Sequence, residues 1–247
     1  MPEAVLLGIA ALAVLVGVVL QRITGSGVGA VSAPPLILIL GPVAGVQVLH
    51  VVAALCSLVL LVSCWRDVDW RRTAVLTGTA LAATPFGVVL AFALPEAVLQ
   101  IAMGLVMLAA LFTIEALART WLMRNRLGIV ATGVLGGVAN GTVGLAGPLM
   151  SAYAVASRWQ LPGFVASMQM CWLVVNVAAA AMKGLPSVPP LLAVVLLGSL
   201  AVGSVVSFPI ARAVPRSVAV RCLVLAAVAG SVAVLAKGVG GLFWPVP

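Results

Sequence analysis

Eight apolar runs, at about 4–21, 43–64, 73–93, 96–118, 127–139, 162–182, 188–211 and 216–236, decide what this chain can fold into. Crossing a hydrocarbon core of about 30 Å takes roughly 20 helical residues, and most of these runs are that long. Backbone polar groups inside a bilayer must be satisfied within the protein, which leaves helices or a closed barrel. The runs are continuous and lack the period-2 alternation of barrel strands, so the chain reads as an all-α polytopic membrane protein. Composition agrees: 64% of the 247 residues are hydrophobic, 7% are charged, and mean hydropathy is +1.31, against roughly 25% charged in a soluble domain. The first run follows Met-Pro-Glu with no basic stretch or clear cleavage site, and is expected to remain as a helix.

Thirteen Lys and Arg against five acids give a net charge of +8, and nearly all of them lie between apolar runs. That is the pattern of a multi-pass protein with basic cytoplasmic loops, with no basic-aromatic surface for nucleic acid. Cys56, Cys64, Cys171 and Cys222 show no metal-ligand spacing and read as small hydrophobes. One histidine cannot supply a His-rich metal site, no carboxylate pair lies deep in a run, and no P-loop is present. The chain therefore reads as neither an enzyme nor an ATP-driven pump, with no cofactor or metal, and with a lipid bilayer and a small solute as its partners.

Two short pieces, about 32–41 and 147–157, each follow a glycine-rich break: ITGSGVGAVSAPPL from Ile23 and ANGTVGLAGPL from Ala139. Each covers half a bilayer at most. The halves also resemble each other elsewhere. LTGTALAATPFGVVLAFALPEAV from Leu76 aligns without gaps on LLGSLAVGSVVSFPIARAVPRSV from Leu196, pairing Gly78 with Gly198, Thr84 with Ser204 and Pro95 with Pro215. The expected plan is one integral membrane domain of two repeats, 1–118 and 127–247, joined by a basic cytoplasmic linker at 119–126. If the short pieces cross, each half has five segments and the second is inverted. Arg22, the 66–72 loop, Arg119, Arg124, Arg126, Arg158, Arg212 and Arg216 then share one side, and Lys183 and Lys237 the other. If they re-enter instead, the repeats are parallel and the charge pattern fits less well. The expectation is therefore about eight full spans plus two short half-helices, in inverted repeats.

Ser32 is placed to cap a short helix with Pro34 and Pro35 in its first turn, and Gly147 precedes Pro148 in the same way. A helix start offers unpaired N–H groups and a partial positive charge, which suit an anion. Gly25, Gly27 and Gly29, with Gly141, Gly144 and Gly147, let backbone approach closely, while Thr24, Ser26, Ser32, Asn140 and Thr142 add neutral donors. The competing reading is that Gly25-x-x-x-Gly29, Gly133-x-x-x-Gly137 and Gly137-x-x-x-Gly141 only let helices pack. Gln47 and His50 on the span after the first break, and Ser167, Gln169 and Asn176 on the span after the second, are further lining candidates. Glu115 and Arg119 form an i, i+4 surface pair, and Arg221 snorkels or attracts substrate.

The motifs TGSGVGAVSAPPLIL and GVLGGVANGTVGLAGPLMSAYAV resemble the TauE/SafE sulfite exporter family of bacterial and archaeal membrane proteins, and the resemblance covers essentially the whole chain. It implies secondary transport of a small sulfur-containing anion, such as sulfite, thiosulfate or an organosulfonate, across the cytoplasmic membrane. Carried over, its motif positions are Gly25, Gly27, Gly29 and Pro35, then Gly141, Gly144, Gly147 and Pro148. Gly-Ser-Gly-Val-Gly and Gly-Leu-Ala-Gly stand where many members have tighter glycine runs. The rival readings are a passive anion channel and a non-transporting membrane scaffold.

Overall fold

The computed structural model describes residues 3–120 and 126–243, all helix, turn or connection among the described residues. The order is α1 (Glu3–Thr24), α2 (Val28–Leu40), α3 (Pro42–Val62), a 3-10 turn at Trp65–Asp67, α4 (Trp70–Ala93), α5 (Glu96–Arg119), α6 (Arg126–Val143), α7 (Gly147–Ala156), α8 (Leu161–Lys183), α9 (Pro190–Ala213) and α10 (Arg216–Phe243). Residues 121–125, the centre of the expected linker with Arg124, and the side chains of Glu115, Arg119 and Arg126 lie outside the description.

Among the described residues, six helices are long and apolar enough to cross a membrane: α1, α3, α4, α8, α9 and α10. The described apolar part of α5 ends at Ala109 and that of α6 covers Leu127–Val143, so these two helices fall below that length among the described residues. α6 runs further than the apolar run at 127–139, continuing through Asn140, Gly141 and Thr142. Large apolar side chains such as Phe86, Val89, Val205 and Leu225 are exposed on the bundle exterior, where lipid would cover them.

The breaks end helices by the same device. Gly25 follows α1 with φ +84° and Gly144 follows α6 with φ +71°, the left-handed region that glycine enters without penalty. Each break is three residues long, Gly25 to Gly27 and Gly144 to Ala146. The boundaries keep step: Thr24 is as far from Val143 as Val28 is from Gly147 and Pro42 from Leu161. The segments aligned without gaps are α4 and α9, each 24 residues.

One expectation fails here. α2 begins at Val28, so Ser32 is in its interior rather than at its start, and Pro34 and Pro35 sit at its middle. The left-handed Gly25 turns the chain earlier than the prolines suggested. The Pro34 ring is accommodated because it faces Gly230 of α10, where a Cβ would collide with it. α7 does start as expected, with Pro148 in its first turn.

The most extensive helix contacts are α4 with α6, α5 with α10, α1 with α9 and α3 with α8, and each joins residues before the linker to residues after it. The α4–α6 contact shows what the glycine pattern does. Gly137 abuts the Ala80 carbonyl, and a Cβ on Gly141 would lie 2.6 Å from the Thr84 carbonyl oxygen. Thr142 Oγ1 donates to the Gly87 carbonyl at 3.1 Å.

Charge sorts to the two ends. Arg22 Nη1 donates to Ser63 Oγ at 3.2 Å and Arg22 Nε to Ser207 Oγ at 2.7 Å. Asp67, Asp69, Arg72 and Arg158 border one groove at that end. At the other, Gln47 Nε2 donates to the Lys183 carbonyl at 2.6 Å and Lys237 Nζ to that of Leu38 at 3.0 Å.

Gly137→Leu is expected to lose the monodisperse folded species in detergent size-exclusion chromatography, since overpacking a tight contact costs about 1–3 kcal/mol or more. Gly78→Leu, where nothing lies within 4 Å of the added Cβ, is expected to behave as the parent.

Candidate functional site

The two breaks meet. A Cβ on Gly29 would lie 2.8 Å from the Gly144 carbonyl oxygen, and one on Gly147 would lie 2.7 Å from Ser26 Oγ. Only glycine at these two positions lets the start of α2 reach the second break and the start of α7 reach the first. Where they meet is a cavity of about 30 Å³, lined by Gln21, Ser26, Gly27, Gly29, Ala30, Ala53, Asn140, Gly144, Leu145, Ala146, Gly147, Trp172 and Asn176. It suits a ligand of a few atoms, well short of the roughly 300–1,000 Å³ of drug-sized pockets. No carboxylate is among the lining residues.

Gln21, three residues before the end of α1, organises the first break. Its Oε1 accepts from the Val28 amide at 3.2 Å, capping α2 where the N-cap Gly27 has no side chain to do so. Its Nε2 donates to Gln169 Oε1 at 2.9 Å and to Ser57 Oγ at 3.1 Å. Asn140, near the end of α6, does matching work: Nδ2 donates to Asn176 Oδ1 at 3.0 Å, and its carbonyl accepts from His50 Nε2 at 3.0 Å. A carbonyl only accepts, so this His50 nitrogen carries the proton. The Trp172 indole donates to the Gly25 carbonyl at 3.0 Å.

These bonds leave some donors free. Among the described residues the amides of Gly27, Gly29, Ala30, Ala146 and Gly147 have no acceptor on the chain, as helix starts require. The cavity thus offers backbone N–H groups from two helix starts and the Ser26 hydroxyl, all neutral donors with no competing anion.

Seven of the expected residues line this cavity: Ser26, Gly27, Gly29, Asn140, Gly144, Gly147 and Asn176. Others act one step away. His50 and Gln169 hold Asn140 and Gln21, and Gly25 makes the turn. The Thr24 hydroxyl is spent on the Leu20 and Ser26 carbonyls. Gly141 and Thr142 serve the contact with α4. Ser167 Oγ accepts from the Asp69 amide at 3.1 Å and so anchors a loop at the basic end. Gln47 binds the Lys183 carbonyl at the far end. Ser32 is buried inside α2 with its hydroxyl unpartnered, Pro35 lies farther along α2, and Pro148 starts α7 without lining the cavity. Gln21 and Trp172 are lining residues that sequence reasoning passed over; Gln21, a polar residue inside an apolar run, carried the same signal as Gln169.

The model of the sulfite exporter TauE/SafE family matches residues 9–237. The chain belongs to this family. No curated protein and no solved structure matches it. Family membership makes it a multi-pass helical protein of the bacterial inner membrane that transports small anions, and not an enzyme.

Gln21→Ala is expected to destabilise the protein by about 1–3 kcal/mol, because the Val28 amide and Gln169 both lose a buried partner. In a double-mutant cycle read by thermal unfolding in detergent, Gln21→Ala and Gln169→Ala are expected to fall short of additivity by about 0.6 kcal/mol or more.

Proposed function

We propose that this TauE/SafE member is a secondary exporter of a small sulfur-containing anion, such as sulfite, thiosulfate or an organosulfonate, bound where the two breaks meet. The observation that carries the reading is the cavity between two helix starts, lined by unpaired amides and no carboxylate. A broken helix at membrane depth is tolerated where it lines a cavity, and facing half-helix N-termini suit an anionic group. The family description supports the choice of sulfur oxyanion.

We further propose ten crossings arranged as two inverted repeats, 1–118 and 127–247, with α2, α5, α6 and α7 crossing beside the six long spans. Support comes from the polar network. Gln21 stands to Asn140 along the chain as His50 stands to Gln169 and Ser57 to Asn176. The bonds follow that correspondence: Gln21 to Ser57 and Gln169, Asn140 to Asn176 and His50. Separation of arginines at one end from Lys183 and Lys237 at the other supports a cytoplasmic basic end. Rocking of the halves about the breaks would open the cavity to each side in turn.

Proteoliposomes loaded with sulfite, thiosulfate, sulfoacetate or acetate test this directly. Saturable flux of at least one sulfur anion at carrier rates is expected; no flux of any would refute the proposal, and conductance far above carrier turnover would make it a channel. Ser26→Ala, which removes a hydroxyl from the cavity, is expected to weaken apparent affinity about tenfold, the size of one hydrogen bond to a charged group, at unchanged expression.

A further inference from the structure

Gln169, Asn176 and Lys183 recur every two turns of α8, so they share one face, and all three are buried. Gln169 holds Gln21, Asn176 lines the cavity, and Lys183 stands about 10 Å further along the helix. A lysine at the end of a membrane helix ordinarily extends its amine to the headgroups. Lys183 does not: the residue is 6% exposed and its ammonium nitrogen is enclosed with no partner among the described residues. The C-terminal carbonyls of α8 supply only a fraction of a compensating charge. The only ion pair among the described residues, Arg72 with Asp69, is at the opposite end of the bundle. His50 on α3 is fully buried, and its Nδ1 is likewise unpartnered.

Arg22 near the other end makes a useful contrast. Its guanidinium has Ser63, Ser207 and the Phe208 ring, centred 3.6 Å away, as partners. Arg22 keeps one buried nitrogen, Nη2, without a partner, but its guanidinium is otherwise held, whereas the Lys183 ammonium has no partner of any kind among the described residues. An enclosed ammonium without a counterion is costly, and a mobile anion would supply what the chain does not.

We infer that Lys183 is an anion-holding site on the approach to the central cavity from the Lys183 and Lys237 end, where a small oxyanion pairs with the ammonium before or after it occupies the junction of the breaks. The inference rests on the anion-transport reading for its role, but the site itself is a binding property that can be tested without flux.

The test uses the full-length protein in detergent, with thermal unfolding followed in sodium sulfite and in sodium gluconate of equal ionic strength. Sulfite is expected to stabilise the parent protein, Lys183→Met to need at least about tenfold more sulfite for the same stabilisation, and Lys183→Arg to stay near the parent. Without sulfite, Lys183→Met is expected to be no less stable than the parent, since it removes an unpaired buried charge. No stabilisation of the parent by sulfite, or an unchanged sulfite requirement in Lys183→Met, overturns the inference and leaves the transport reading standing. A Lys183→Met protein that unfolds at lower temperature in gluconate marks the lysine as a packing element, which also overturns it. Lysine-dependent stabilisation with no sulfite flux in the parent keeps the Lys183 site and sinks the transport reading.

Discussion

The structure turns on one constraint: a chain that interrupts two helices inside a helical bundle must give the freed amides somewhere to go. Water is absent from the hydrocarbon, so each orphan group left facing it would cost several kcal/mol. The chain solves part of this with its own side chains. Gln21 caps α2 from the preceding helix, Thr24 closes the turn, and Trp172 takes the Gly25 carbonyl. Most of the amides left over surround one cavity, so the unsatisfied remainder is concentrated rather than spread along the bundle.

That concentration shapes how an anion would be held. In the proposed site neutral amides and a hydroxyl would replace hydration geometrically, whereas a guanidinium clamp would add a full charge and slow release. The cationic groups are kept away from the cavity, Arg22 toward one end and Lys183 toward the other. A transported ion must be bound well enough to enter and loosely enough to leave. In such a site, size and donor geometry would discriminate between anions more than charge does.

Much of this was legible in the residues. The apolar runs marked the helices, and the gapless pairing of Leu76 with Leu196 fell on two helices of equal length. The glycine-x-x-x-glycine series at 133, 137 and 141 could have meant packing or a site, and it means packing. The failures share a cause. Proline prefers a helix start, but Pro34 is carried in the interior of α2 because Gly230, almost two hundred residues away in the chain, leaves it room. Gln21 was visible as a polar residue in an apolar run, yet its role as a cap exists only once Gly25 turns the chain back over it. Ser167, Gly141 and Thr142 had the right chemistry and the wrong neighbours. Local preference located the breaks; tertiary contact decided which groups faced inward.

The seating of each break in the other also carries an evolutionary consequence. Gly29 is small because Gly144 is there, and Gly147 because Ser26 is there. A side chain gained at Gly29 or Gly147 collides with the backbone or side chain of the other break. Position 29 is therefore held to glycine whatever stands at 144, since every residue there carries that carbonyl, whereas a side chain gained at 147 must await a smaller residue at 26.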